Sequence, residues 1–233
     1  MKTKLIILTI TIFAIQTTIA KNNDTIPNNR IGISFFYSGL LNVPKEKMTY
    51  LYWQGEIATS REYKNTFSSD FTFLININVL KKLSLNTGIS LLHSKIEAED
   101  KTIGIENSKE IFIEKEKYIS IPFLISYQVI NIKKLELSPI IGVYLNEIIY
   151  KYSKISNISR TIESSKYFND FEAPFLNFEA GFNTDYKLNK NLALSLKLRY
   201  IAWDIYSFTK QPTHMDLSNI YTISIGVGIK YYL

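Results

Sequence analysis

The sequence predicts an all-β protein, an eight-stranded antiparallel up-and-down transmembrane β-barrel. Three observations predict it. Large apolar residues alternate with small or polar ones in eight separate segments, which is the period of a strand with two unlike faces. The connections between those segments alternate between short and long. After residue 20 no segment holds 18 consecutive apolar residues, so a membrane crossing would use strands and not helices.

Composition bounds the rest. The chain has 233 residues, 46% hydrophobic and 14% aromatic, which fits one folded domain and excludes a disordered tail or a collagen. The absence of Cys excludes a disulfide framework, a thiolate metal site and a Cys nucleophile. Formal charge is +6, but Lys2 and Lys4 lie in a segment expected to be removed, leaving 25 basic against 21 acidic side chains. The basic residues are interspersed with acidic ones and form no stripe with aromatics, so nucleic acid is not an expected partner.

Residues 1–20 read as a signal peptide. Lys2 and Lys4 give a positive start, Leu5 to Ile15 a short apolar run, and Thr18 and Ala20 the small residues before a cleavage site. Cleavage is expected between Ala20 and Lys21, leaving 21–233 as the barrel domain.

The strands follow in order. Ile31, Ile33, Phe35 and Tyr37 alternate with Gly32, Ser34, Phe36 and Ser38. Phe71 to Val79 and Leu83 to Leu91 repeat the pattern around the short turn Leu80-Lys81-Lys82. Ile119 to Val129 and Leu135 to Asn146 flank the turn at 130–134. Leu176 to Tyr186 and Leu192 to Tyr200 flank the turn at 187–191. Tyr221, Ile223, Ile225, Val227, Ile229, Tyr231 and Leu233 form the apolar face of the last strand. Residues 40–69, 96–117, 150–174 and 204–219 are expected as long outer loops.

Two barrels share this alternation. In a lipocalin-like barrel the apolar face points inward to a ligand; in a membrane barrel it faces lipid. Here the other face is mostly Gly, Ser, Asn and Thr, which suits a narrow lumen filled by side chains. Tyr37, Phe71, Tyr200 and Tyr221 are expected near the outer rim, and Tyr127, Tyr186 and Tyr231 near the short-turn rim. Aromatic girdles at two heights fit two membrane interfaces. The outer-membrane bilayer is therefore the expected surrounding.

The segment Tyr118-Ile119-Ser120-Ile121-Pro122-Phe123-Leu124-Ile125 resembles a strand of the PorT-like outer-membrane β-barrel proteins of Bacteroidetes. Leu137 to Tyr144 is similar to the Pro- and Gly-containing strand that follows it there, and Tyr186 to Leu194 to the last short turn and seventh strand. The resemblance implies an outer-membrane address and eight strands, and an accessory part in protein secretion as one role. Ser120 stands where the family often has Glu, and Ser126 where it often has Lys or Arg, so no lumenal ion pair is carried over there.

Chemistry-bearing residues are few. His93, and His214 with Asp216 and Ser218, are the material for a rim hydrolase, an activated nucleophile beside a base. Ser and Asp are common loop residues, so these residues read first as an interfacial His and a loop His, and no catalytic, cofactor or metal site is expected. Glu136, Glu179, Asp185, Lys197, Arg199 and Lys230 share the lumenal parity. In a lumen this narrow they are expected to pair as a plug, leaving no open pore. Counting from a turn centred near Asn189 predicts Glu179 opposite Arg199, with Lys197 as the diagonal alternative. The charged run from Glu97 to Lys117 is expected as a solvated hairpin and as the place for a protein partner to dock. The expected role is structural, or binding through the outer loops.

Overall fold

The structure, a computed structural model, describes residues 31–44, 50–54, 57–102, 109–157, 161–167, 174–207 and 220–233. Among these residues the chain forms twelve strands: β1 (Ile31–Pro44), β2 (Tyr50–Gln54), β3 (Ile57–Lys64), β4 (Thr66–Asn78), β5 (Leu83–Thr102), β6 (Lys109–Tyr127), β7 (Ile130–Ile132), β8 (Leu135–Ser156), β9 (Thr161–Tyr167), β10 (Phe175–Lys187), β11 (Leu192–Ser207) and β12 (Ile220–Tyr232). Eight of them close on themselves in the antiparallel order β1-β4-β5-β6-β8-β10-β11-β12, and β12 pairs back to β1 from Gly32↔Tyr232 to Pro44↔Ile220. Closure removes the sheet edges that a membrane interior cannot solvate.

Register fixes the shape. The partners of Leu137 run through Thr184, Leu196, Val227, Tyr37, Phe71, Leu91 and Ile119 and return to β8 at Glu147, ten residues further along. A stagger of ten in eight strands tilts each strand by about 40° from the barrel axis. The outward residues are the expected apolar set: Ile225 and Val227 are 59% and 61% exposed, while Thr222 and Ser224, on the opposite face of the same strand, are fully buried. On β8 the outward apolar run from Leu135 to Leu145 climbs about 25 Å at this tilt, the height of a bilayer-spanning belt.

The strands extend further outward than the alternation alone indicates. β1 continues to Pro44, β5 to Thr102 and β8 to Ser156, so much of 40–69, 96–117 and 150–174 is strand and not loop. Beyond the belt, β2, β3 and β9 join the outer halves of β5, β6 and β8 in a sheet ordered β2-β3-β5-β6-β8-β9. The extension also revises one girdle. Tyr37 pairs with Val227 and with Phe71, six residues inside the Val43↔Tyr221 pair, so Tyr37 and Phe71 lie mid-belt and not near the outer rim. Tyr200 and Tyr221 do stack, with ring centres 5.8 Å apart.

Candidate functional site

The interior has three tiers. The middle one is a charged plug. Glu179 on β10 has its carboxylate 2.9 Å from Lys197 Nζ and 3.3 Å from Arg199 Nη1, both on β11. Arg199 Nη2 lies 2.7 Å from Asp70 Oδ2 on β4 and also donates to Ser224 Oγ at 2.9 Å. Tyr144 Oη accepts from Arg199 Nη1 at 3.3 Å. Two carboxylates thus face two cations, all nearly inaccessible to solvent.

The predicted register differs from the observed one in a specific way. The β10–β11 turn centres on Lys190, so Arg199 lies opposite Gly181 and Glu179 opposite Ile201. Glu179 lies outward of both cations, one inward-parity step from Arg199 and two from Lys197, and reaches them diagonally. The positions facing the plug are glycines. Gly142 is the β8 neighbour of Glu179, and a Cβ on Gly181 or Gly142 would strike the backbone of the adjacent strand. Backbone thus comes close where the plug side chains take their space.

Asp70 and Tyr144 escape the sequence reading. Asp70 lies one residue before the strand as read from Phe71, though it shares the inward parity of Thr72 and Leu74. Tyr144 is inward by parity, but nothing in the alternation says what its hydroxyl would meet. At the two positions where the sequence departs from the PorT-like pattern, the contacts are neutral. Ser120 Oγ bonds Asn146 at 2.7 Å, and Asn86 donates to Ser126 Oγ at 3.1 Å.

The outer tier is apolar. Tyr118 and Phe175 meet edge to face at 5.5 Å, and Leu40, Leu92, Ile148, Ile201 and Ile220 pack around them. The lumenal face, expected to be mostly small or polar, carries these bulky apolar residues on strand extensions or at strand ends. The inner tier, near the short turns, is polar. Lys230 pairs with Asp185 at 3.1 Å and Lys187 with Glu136 at 2.6 Å. Ser195 Oγ donates to Asp185, and Tyr232 Oη to Glu136.

Outside the belt the charged hairpin of β5 and β6 is laced with ion pairs. Glu99 lies 2.9 Å from Lys109, 3.3 Å from Lys101 and 3.4 Å from Lys64. Lys109 above all holds the Glu99 carboxyl down to about 2, against the cost of burying it. Lys151 of β8 pairs with Glu116 at 3.2 Å and also with Glu114. His93 is exposed on the outer face of β5, opposite Ser69 and Lys117. His214, Asp216 and Ser218 lie outside the described residues, as do Ala20 and Lys21.

The closed wall, the apolar belt and the plugged lumen define a class, the small transmembrane β-barrel. No family model and no curated protein matches this chain by sequence. In shape the chain is similar to Ail, the attachment invasion locus protein of Yersinia pestis, at 13% identity over 89% of this chain and 100% of that one, TM-score 0.41. It is also similar to Neisserial surface protein A (10% identity, 87% and 97% covered, TM-score 0.44) and to the outer membrane protein OprG of Pseudomonas aeruginosa (11%, 88% and 97%, TM-score 0.45).

Proposed function

We propose that this chain is an outer-membrane protein of a Gram-negative bacterium that binds a protein partner through its outer sheet and conducts nothing through its lumen. On this reading it is exported by residues 1–20, is cleaved between Ala20 and Lys21, and turns its short turns to the periplasm. The observation that carries the reading is the outer sheet. From His93 to Thr102, β5 rises about 20 Å beyond the belt. A barrel needs only its belt to stay in a bilayer, so ordered structure of that height calls for another use. β9 is exposed along its whole length and is hydrogen-bonded, among the described residues, to β8 alone. Its free side can accept a partner's strand.

The experiment is photo-cross-linking in intact cells from Ile162 and Tyr167 on β9, with Ile225 on the belt as the control. A discrete protein adduct from β9 and not from Ile225 supports the reading. No adduct from either β9 position, or recovery of the protein as a soluble periplasmic species, sinks it. The resemblance of Tyr118 to Ile125 to a PorT-like strand supports a narrower version, in which the partner belongs to a secretion complex. Co-purification of such a complex with the β9 adduct is the test of that version.

A further inference from the structure

The lumen between the plug and the short turns is hollow. The cavity has a volume of about 420 Å3, inside the range of roughly 300–1,000 Å3 typical of small-molecule sites. Its end toward the plug is closed by Lys197 and the apolar side chains of Phe36, Leu74, Leu124 and Ile140. Its wall carries neutral hydrogen-bonding groups, among them Asn76, Asn78, Asn86, Ser126 and Asn183. Its mouth carries Lys81, Lys82, Lys187, Lys190 and Lys230.

Two features of this cavity point to a ligand. The first is unbalanced charge. Glu136 and Asp185 are the carboxylates in the lining, and Lys187 and Lys230 already hold them. Lys197 is held by Glu179. Lys81, Lys82 and Lys190 have no ion pair among the described residues, so the mouth is cationic. The second is an unused acceptor. Asn183 spends its amide N–H on Asp185 at 2.8 Å, while its Oδ1 is buried without a hydrogen-bond partner. Such a group calls for a donor. Donor and acceptor amides on the wall suit hydroxyl groups, and the lysine mouth suits an anion.

We propose that this cavity binds a polyhydroxylated anion the size of a sugar phosphate, entering from the short-turn side. That direction follows from the closure of the other end by the plug and the Tyr118–Phe175 cap. The proposal goes beyond the outer-sheet reading and does not depend on it. The ligand is either a free acidic sugar or the end of an anionic glycan chain. Both present hydroxyls beside a negative group.

The test is calorimetric titration of the folded full chain in a polyoxyethylene detergent at low salt, since phosphocholine or maltoside head groups would compete. The probes are glucose 6-phosphate, glucuronate, glucose, inorganic phosphate and a glucuronate-containing tetrasaccharide. Glucose 6-phosphate or glucuronate should bind one to one with Kd below about 1 mM, and glucose and inorganic phosphate about tenfold more weakly or worse. The triple variant Lys81→Gln, Lys82→Gln, Lys190→Gln should lose about tenfold in affinity. Lys133→Gln with Lys134→Gln, on the neighbouring turn but outside the cavity lining, should stay within about twofold.

Ser126→Phe should abolish binding by filling the cavity. Asn78→Trp at the mouth serves where Ser126→Phe fails to give the heat-modifiable band of a folded barrel. A tetrasaccharide that binds more tightly than the monomers identifies the glycan end as the source, and equal binding identifies the free sugar. The proposal is overturned by no saturable binding of either acidic sugar. It is also overturned by inorganic phosphate matching glucose 6-phosphate, or by Lys133→Gln with Lys134→Gln weakening binding as much as the triple variant. The last result would mean a diffuse charged rim of the kind that meets lipid head groups.

Discussion

The two ends of the lumen share one wall and one parity, yet they solve the interior differently. At the outer end Tyr118, Phe175 and their apolar neighbours pack across the bore as an apolar core. At the short-turn end Asn, Ser and Lys line an open cavity. Between them sits a charge-balanced plug of Asp70, Glu179, Lys197 and Arg199. Barrel geometry fixes the bore, but residue size and polarity decide whether it is packed or hollow. Stability should therefore concentrate in the plug and the outer cap, and the inner end should tolerate change.

Perturbing the plug should break that contrast most sharply. Glu179→Ala leaves Lys197 and Arg199 facing Asp70 alone, and should cost about 3–5 kcal/mol in urea unfolding from lipid vesicles. Glu179→Gln combined with Lys197→Met restores the charge balance and should cost less than Glu179→Ala. A double as damaging as the single would show that the groups do not act as a unit.

Phe175→Ala, which opens a void in the cap, should also cost about 3–5 kcal/mol. On the outside of the same wall, Ile225→Arg should cost about 2–4 kcal/mol, because that position faces lipid. If Arg is harmless both there and at Leu196, the apolar belt is not in a membrane and a ligand-carrying barrel is revived.

A smaller effect concerns the charged hairpin. The Glu99 carboxyl sits at about 2 in the folded chain against an ordinary 4.5. A lowered carboxyl stabilises the folded arrangement above pH 4.5, and that contribution disappears as pH falls through 2. Amide protection around Lys101 and Lys109, taken relative to the intrinsic exchange rate at each pH, should therefore fall as pH drops from 4.5 to 2 while protection in β12 is kept. The smallest effect is expected in the cavity. Asn78→Ala should change stability by less than about 0.5 kcal/mol. A large loss would mean the inner end is as tightly coupled as the cap.

The barrel was legible because lipid and lumen demand opposite residues at alternate positions. Ile223, Ile225, Val227 and Ile229 against Ser224, Gly226 and Gly228 is an unambiguous contrast. Above the belt the same period continues without that contrast. On β6, Glu114 and Glu116 are buried while Lys115 and Lys117 point out, so charge stands on both faces and the segment reads as a loop. The diagonal reach of Glu179 was equally hidden, since parity names the face and only the turn geometry sets the register. The lysine mouth was visible as Lys81, Lys82, Lys187 and Lys190 in short turns, but sequence does not show that a cavity lies beneath them.

The pairing of β1 with β12 has a consequence for how the molecule assembles. It joins residues 31–44 to residues 220–232, so this seam spans nearly the whole described chain. Loop-closure entropy must be met before that seam gives anything back, which makes closure slow relative to hairpin formation. Until then β1 and β12 each present an open row of backbone donors and acceptors, an invitation to pair with the wrong chain. Tyr232, Tyr231 and Lys230 begin the seam from the short-turn rim, opposite Gly32, Ile33 and Ser34 in turn. Cutting the chain before β12 would leave a curled sheet with two sticky margins, β1 and β11, and no route to a sealed cylinder.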